Sequence, residues 1–346
     1  MDESSRDDIT INASCSNHID TSLYCLSSNP TTVLACDLGD GKVFDKLVLD
    51  TDEYAATTAF TYNEKGYIGM DTIPAKVVRF DIKDMRREEA LCFSDDESHI
   101  VSSFHTSDGF GYFSTYTSPI RLLKVNLKTM EHVSSLTFNK DENFVTTSFT
   151  DGKGYGYFAT SIMFDKSMVT TTSPPQTAKL VKINLKTMTH MGSIGISLPI
   201  IKDTTITTTS MPKYKYANHI YSMQSGFTDY KGYGYFGALV GYSYDTKFTD
   251  NHYLLKIKLD DMSIISYIRM EKCEGCVTSS FMDGEYGYFC TSNSIIKILL
   301  SDFIKSEKLK LHCDEKHVHS AVVDLYAKNC YVAYGNKTDV LKVSYA

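Results

Sequence analysis

Gly154-Tyr155-Gly156-Tyr157-Phe158 is one of four near-identical phrases in this chain. The others are Gly109-Phe110-Gly111-Tyr112-Phe113, Gly232-Tyr233-Gly234-Tyr235-Phe236 and Glu285-Tyr286-Gly287-Tyr288-Phe289. Gly66-Tyr67-Ile68, Cys330-Tyr331-Val332 and Leu23-Tyr24-Cys25 are worn copies of the same phrase. The seven tyrosines are separated by 43, 45, 45, 78, 53 and 43 residues. Four of these gaps match a repeat of roughly 40 to 45 residues, the length of one four-stranded unit. The two long gaps read as insertions.

The residues around each tyrosine spell out the unit. An alternating run such as Val101-Ser102-Ser103-Phe104 precedes the turn Ser107-Asp108-Gly109, which Asp151-Gly152 and Asp283-Gly284 repeat. Such turns need residues that tolerate left-handed backbone angles. A third run of period two follows the tyrosine: Ala75 to Ile82, Leu122 to Leu127, Leu180 to Leu185. A short turn such as Lys128-Thr129-Met130 then leads to a fourth strand, His132 to Phe138. No stretch carries a helical apolar stripe of useful length.

Four antiparallel strands per copy and seven copies predict an all-β fold, a seven-bladed β-propeller whose last blade is open to being incomplete. The first strand of each blade is filled with small residues, as crowding near an axis requires: Thr57-Thr58-Ala59, Ser102-Ser103, Thr146-Thr147-Ser148, Ser225-Gly226, Thr278-Ser279-Ser280 and Ser320-Ala321. The whole chain, 1–346, is expected as a single domain with blades near 8–49, 55–93, 100–138, 144–197, 219–270, 276–311 and 317–346. For the last blade, three strands alone, a short outer strand lent by Ile9 to Ile11, and a chain that is a fragment of a longer one all stand open.

The last copy, with Ser320-Ala321-Val322-Val323-Asp324, Tyr331-Val332-Ala333-Tyr334-Gly335-Asn336 and Val340-Leu341-Lys342-Val343, resembles the YVTN type of propeller repeat. It does not resemble WD40 repeats, because the chain has no tryptophan. Similar propellers serve as enzymes, adhesion modules and interaction platforms, so the resemblance implies a scaffold and no particular activity.

Composition narrows the partners. A net charge of -7 and a pI near 5.8 argue against a nucleic-acid groove, which needs a basic stripe. The start Met1-Asp2-Glu3-Ser4-Ser5-Arg6 lacks the basic and apolar regions of a signal peptide, and no run of about 18 apolar residues predicts a membrane span. Nine cysteines at irregular positions suggest reduced thiols and a cytoplasmic chain. Asn12-Ala13-Ser14 and Asn336-Lys337-Thr338 match the glycosylation acceptor pattern and keep a secreted or surface location open.

Three features are candidates for function. The insertions Ser161 to Thr177, Leu198 to Asn218 and Val240 to His252 all fall in connections that a propeller places on one face. Long loops in a compact fold are functional or disordered. Tyr242, Tyr244 and Phe248 give the third loop the aromatic content of a contact surface. The loops leading into the first strands are acidic: Asp50, Asp52 and Glu53; Asp95, Asp96 and Glu97, with His99; Asp141 and Glu142; Glu271 and Glu274; Asp314 and Glu315. His219, His317 and His319 join them on the same face. Such a ring could hold a cation or a cationic group, or be solvated turn residues only.

Cys273 and Cys276, with Cys313, His317 and His319 one blade on, could in principle make a tetrahedral zinc site, although a lone Cys-x-x-Cys signals that weakly. A basic residue recurs on the third strand at Arg79, Lys124, Lys182, Lys256, Lys297 and Lys342, with Ala35 breaking the series, and is expected to support the repeat. There is no Gly-x-Ser-x-Gly elbow, His-Glu-x-x-His or phosphate-cradling loop.

The sequence therefore predicts a non-enzymatic binding module that engages a protein or glycan through its inserted face, with no cofactor. Glu53, Asp96, His99, Glu142, His219, Tyr242, Tyr244, Phe248, Glu274, His317 and His319 are its candidate binding residues. The alternative is a metal-assisted hydrolase or lyase at the mouth of the central channel, with one of the histidines as acid or base.

Overall fold

The computed structural model describes residues 11–16, 21–26, 28–37, 42–162, 177–198, 220–240, 252–271, 273–291, 293–311, 318–324, 329–334 and 340–344. Every regular element among them is a β-strand. The strands form sheets spanning 11–48, 56–92, 100–137, 145–195, 220–269 and 277–310, each a four-stranded antiparallel meander in chain order. The seventh tyrosine lies in a three-stranded sheet, 318–344. The structure thus presents six complete blades where the repeat count predicts seven. Ile11 opens the first strand of the first sheet, Ile11–Ser16, and does not lend an outer strand to the last.

The chain divides into two compact units. One comprises Met1–Thr117, Arg121–Ser135 and Lys310–Ala346; the other comprises Ser118–Ile120 and Leu136–Leu309. Within each unit the first strands of successive sheets stand side by side, for example Ala56–Tyr62 beside Ile100–His105 and Val145–Thr150 beside Ile220–Thr228.

Burial explains the strand sequences. Second strands such as Tyr233–Val240 and third strands such as His252–Lys258 are buried on both faces, because neighbouring sheets of the same unit cover both. They consequently read as nearly continuous apolar runs. Fourth strands such as Glu131–Thr137 are mostly exposed and polar. The hairpin turns carry the glycines the sequence placed there, with φ of 88° at Gly109, 71° at Gly152 and 58° at Gly284.

One contact repeats between sheets. The phenylalanine of a first strand stacks on the tyrosine of its own sheet and tilts onto the phenylalanine of the next. Phe60 lies 5.3 Å from Tyr67 and 5.6 Å from Phe113, and Phe149 lies 5.8 Å from Tyr157 and 5.5 Å from Phe236. The glycines before Tyr112, Tyr235 and Tyr288 make room for it. A Cβ on Gly287 would lie 2.5 Å from the Phe227 ring, and one on Gly234 would lie 3.0 Å from Phe149.

The basic series on the third strands is part of this same joint. Register pairs Tyr67 with Arg79, Tyr112 with Lys124, Tyr157 with Lys182, Tyr235 with Lys256 and Tyr288 with Lys297. In the first sheet the residue opposite Tyr24 is Leu34, one position from the expected Ala35. Lys124, Lys182, Lys256 and Lys297 place their ammonium groups 4.3 to 4.7 Å over an aromatic ring of the second strand. From there several reach a carbonyl of the next sheet. Arg79 and the Tyr67 hydroxyl both donate to Leu127 O, Lys182 and the Tyr157 hydroxyl to Leu259 O, and Lys256 to Leu300 O at 2.7 Å. Burial pushes the Tyr112 phenol up to about 12 and lowers the ammonium groups of Lys124 and Lys256.

Candidate functional site

Glu53, Glu97, Glu142 and Glu274 stand three residues before the apolar residue that opens a first strand: Ala56, Ile100, Val145 and Val277. Each closes a tight turn in which its own N–H donates to the carbonyl three residues back, at 2.8 to 3.0 Å. In return Glu53 accepts from Asp50 N, Glu142 from Asn139 N and Glu274 from Glu271 N, while Glu97 accepts from the Ser94 hydroxyl. All four are buried, with relative exposures of 1 %, 5 %, 0 % and 1 %.

A carboxylate buried this deeply needs a cation or several donors. The second residue of the fourth strand of the same sheet supplies the partner. Arg87 Nη2 lies 2.5 Å from Glu53, Lys305 Nζ 2.7 Å from Glu274 and His190 Nε2 2.9 Å from Glu142. In the third sheet that position is His132, and Ser135 donates to Glu97 at 2.5 Å with Arg121 Nη1 at 3.7 Å. The fifth sheet has Ile264 there, packed against the apolar core, and its sequence carries Ala217 where the glutamate would stand. Burial works to raise the Glu142 pKa, yet hydrogen bonds from Ser193, Asn139 and His190 outweigh it and hold the carboxyl below its usual range. Glu53, Glu142 and Glu274 are therefore engaged inside their own sheets.

Two other candidates lie at the surface. Asp96 is ion-paired with Arg121 at 2.5 Å, and a hydrogen bond from Ser94 holds its carboxyl below the usual range. His99 occupies left-handed backbone at φ 60°, with Nδ1 2.5 Å from Asp71 Oδ1 and its ring edge-on to Tyr116. Its N–H donates to Thr72 O, and its carbonyl accepts from Tyr116 N. His99 thus ties together the connections that follow the second strands of two adjacent sheets. His219, Tyr242, Tyr244, Phe248 and His317 lie outside the described residues, as does the side chain of His319.

Among the described residues no group of three or more His, Cys, Asp and Glu is arranged to hold a metal ion. Cys273 and Cys276 carry free thiols, Cys273 donating to Glu271 at 3.5 Å; Cys313 lies outside the described residues.

Most of each insertion lies outside the described residues, but the described ends show where the loops are rooted. Ile162 N donates to Tyr221 O at 3.0 Å, which joins the start of the first loop to the first strand of the fifth sheet, Ile220–Thr228. Where the first loop ends, Ala178 N donates to Ile220 O and the Thr177 hydroxyl to Ile196 O and Ile220 O. Ile220 follows the second loop, and its register partner Val240 precedes the third. All three long connections are therefore rooted around Ile220 and Tyr221. Sequence spacing placed them on one face; that they share a root required the tertiary hydrogen bonds.

No protein-family model matches the chain, and no curated protein matches it in sequence. Solved structures do resemble it. One titled Kuenenia stuttgartiensis Hydrazine Synthase superposes with a TM-score of 0.73 at 10 % identity, covering 100 % of this chain and 99 % of that one. Another, titled Structure of U3-55K, superposes with a TM-score of 0.68 at 7 % identity over 95 % of this chain and 89 % of the other. At these identities the likeness establishes the fold alone: this is an all-β propeller of four-stranded antiparallel blades. Among the described residues no helix is long and apolar enough to cross a membrane.

Proposed function

We propose that this propeller is a binding module whose inserted face engages a macromolecular partner, a protein in the first instance and a glycan in the second. The reading rests on the common root of the three long loops at Ile220 and Tyr221. A rigid sheet edge that gathers three long connections presents a composite surface, as binding loops on a scaffold do. The third loop supplies Tyr242, Tyr244 and Phe248, residue types that anchor interfaces. The buried state of Glu53, Glu142 and Glu274 directs the search to these loops and away from the acidic ring. The finer architecture belongs to the same proposal: the three-stranded sheet 318–344 is a seventh blade of one YVTN-like domain.

The test is quantitative cross-linking capture with the intact chain and with a variant in which residues 242–250 are replaced by a short Gly-Ser linker. A partner that is lost from the variant, and that rebinds the intact chain when purified, supports the reading. Equal capture by both proteins, at equal melting temperatures, refutes it.

A further inference from the structure

The first strands carry hydroxyl hydrogen bonds between sheets, and these are interrupted at the fifth sheet. The residue after the apolar opener is Thr57, Thr146 or Thr278 in the second, fourth and sixth sheets. Its hydroxyl donates to a carbonyl of its own second strand: Gly69 O at 3.2 Å, Ala159 O at 3.1 Å and Cys290 O at 3.3 Å. The next residue pairs its hydroxyl with one from the following sheet, Thr58 with Ser103 at 2.6 Å and Ser225 with Ser280 at 2.8 Å. Thr147 is the matching residue of the fourth sheet, but the residue that would answer it in the fifth sheet is Gly226. A Cβ there would lie 2.8 Å from Tyr235 O and 2.6 Å from the Phe236 ring, so no serine fits without rearrangement.

The fifth sheet departs from the others in two further ways. Its first strand pairs with the second strand through two register breaks, at Ile220/Ser222 and at Met223/Gly226, whereas the first strands of the second, fourth and sixth sheets show one. Extra strand residues of this kind re-aim side chains beside functional sites. Here they place Gln224 where the second, fourth and sixth sheets carry threonine, and its Oε1 accepts from Val277 N of the next sheet at 3.1 Å.

Around this departure lies a cavity of ≈ 350 Å³, lined by Thr146, Thr147, Ser222, Gln224, Ser225, Val277 and Thr278. Three of its polar groups have no partner among the described residues: the hydroxyls of Thr147 and Ser222 and the amide nitrogen of Gln224. Ser222 is only 9 % exposed. Thr147 and Gln224 are half-buried, so the three groups are open to the cavity and converge on one space in which a ligand can supply their hydrogen bonds.

We infer that this cavity binds a small neutral polyhydroxylated molecule, a linear polyol or a monosaccharide. Among the described residues the lining has no charged side chain, so an ion entering it would lose hydration without a counter-charge. Among the described residues it has no aromatic ring and one apolar residue, Val277, so they offer no surface for stacking. Two hydroxyls that both donate and accept, beside an amide that donates, match the alternating donors and acceptors of vicinal hydroxyl groups. The volume falls at the small end of ligand pockets, about 300–1,000 Å³.

Saturation-transfer NMR on the full chain with glycerol, ribose, glucose and myo-inositol as probes, and with acetate, ethylammonium and indole as controls, tests this. At least one polyol should show transfer above all three controls, and its titration should shift the Val277 amide, whose N–H rests on Gln224. Ser222→Ala and Thr147→Val should each weaken that polyol by roughly tenfold. Gln224→Glu retains the acceptor for Val277 and adds a charge, so it should reverse the preference towards ethylammonium. Transfer no greater than that of the controls, or polyol binding that leaves the Val277 amide unmoved, would show a cavity that holds solvent only and overturn the assignment. The Val277 shift is read on the unmutated chain, so a variant that fails to fold does not decide the matter.

Discussion

Replacing Glu142 by alanine tests whether the buried carboxylates fasten each blade or stand ready for a ligand. Glu142 is fully buried; it accepts from Asn139 N at 2.9 Å, from Asn139 Nδ2 at 3.1 Å and from His190 Nε2 at 2.9 and 3.0 Å. Alanine leaves a buried N–H without an acceptor and strips the imidazole of its carboxylate. Leaving a buried donor without an acceptor costs about 1–3 kcal/mol, and Asn139 N, Asn139 Nδ2 and His190 Nε2 each lose theirs. The His190 side chain is 22 % exposed and can recover some hydration, so the lower end applies, about 3 kcal/mol for the three together. For a protein of this size that is a fall in melting temperature of about 4 °C. Glu142→Gln keeps one acceptor oxygen for Asn139 and should lose about half as much. Glu307, 69 % exposed and 3.9 Å from Lys297, is the control, and Glu307→Ala should leave the midpoint unchanged. Melting is followed by near-ultraviolet circular dichroism at neutral pH. If Glu142→Ala melts with Glu307→Ala and the unmodified protein, the carboxylate does not fasten the blade and the acidic ring returns as a binding site.

Acid should act through the same groups. The Glu142 carboxyl is depressed despite its burial, Asp81 is lowered by Lys65 and Asp141 by Lys179. Because their folded pKa values lie below the unfolded ones, their stabilisation is complete above the ordinary carboxylate range, about 4, and is lost as pH falls through the folded values. The melting temperature should hold from neutral pH to about 4.5 and then drop; a steady decline starting near pH 6 would contradict this. Lys256→Met should cost about 1–2 kcal/mol in thermal melts, since it removes both the donor to Leu300 O and the cation over Tyr233. Lys182→Met, whose donor sits 3.4 Å from Leu259 O, should cost less, and the reverse order would count against the joint. Burial pushes the Cys25 thiol up to about 12 and Cys36 up to about 11, whereas Cys92 and Cys273 are exposed. Iodoacetamide at pH 8 followed by peptide mapping should label Cys92 and Cys273 in the folded protein and Cys25 and Cys36 only after unfolding.

How far the sequence reaches can be judged from particular residues. The tyrosine phrase and the Asp-Gly turns fixed strand order and hairpins because both are local: a two-residue alternation and a left-handed turn are set by neighbouring residues. Lys124 and its counterparts were legible as a repeat position, and the structure gives the reason, a ring beneath each and a carbonyl of the next sheet ahead of several. Glu53, Glu142 and Glu274 were legible as acidic but not as buried. Their partners Arg87, His190 and Lys305 lie 34, 48 and 31 residues further on, and only the folding of the sheet brings each pair together. The signal was present in retrospect, since Arg87, His132, His190 and Lys305 all hold the second position of a fourth strand.

By itself, then, the sequence determined an all-β chain of antiparallel four-stranded repeats with long loops gathered on two neighbouring copies. Tertiary structure alone decided that six of those repeats complete four-stranded blades, that Glu53, Glu97, Glu142 and Glu274 turn inward, that the long loops share a root at Ile220, and that Thr147, Ser222 and Gln224 line one cavity. The physical reason is range. Period and turn chemistry act over a few residues, whereas burial, ion pairing and the hydroxyl hydrogen bonds between sheets depend on which sheets meet and in what register, and a one-residue shift of register exchanges the buried and exposed faces of a strand.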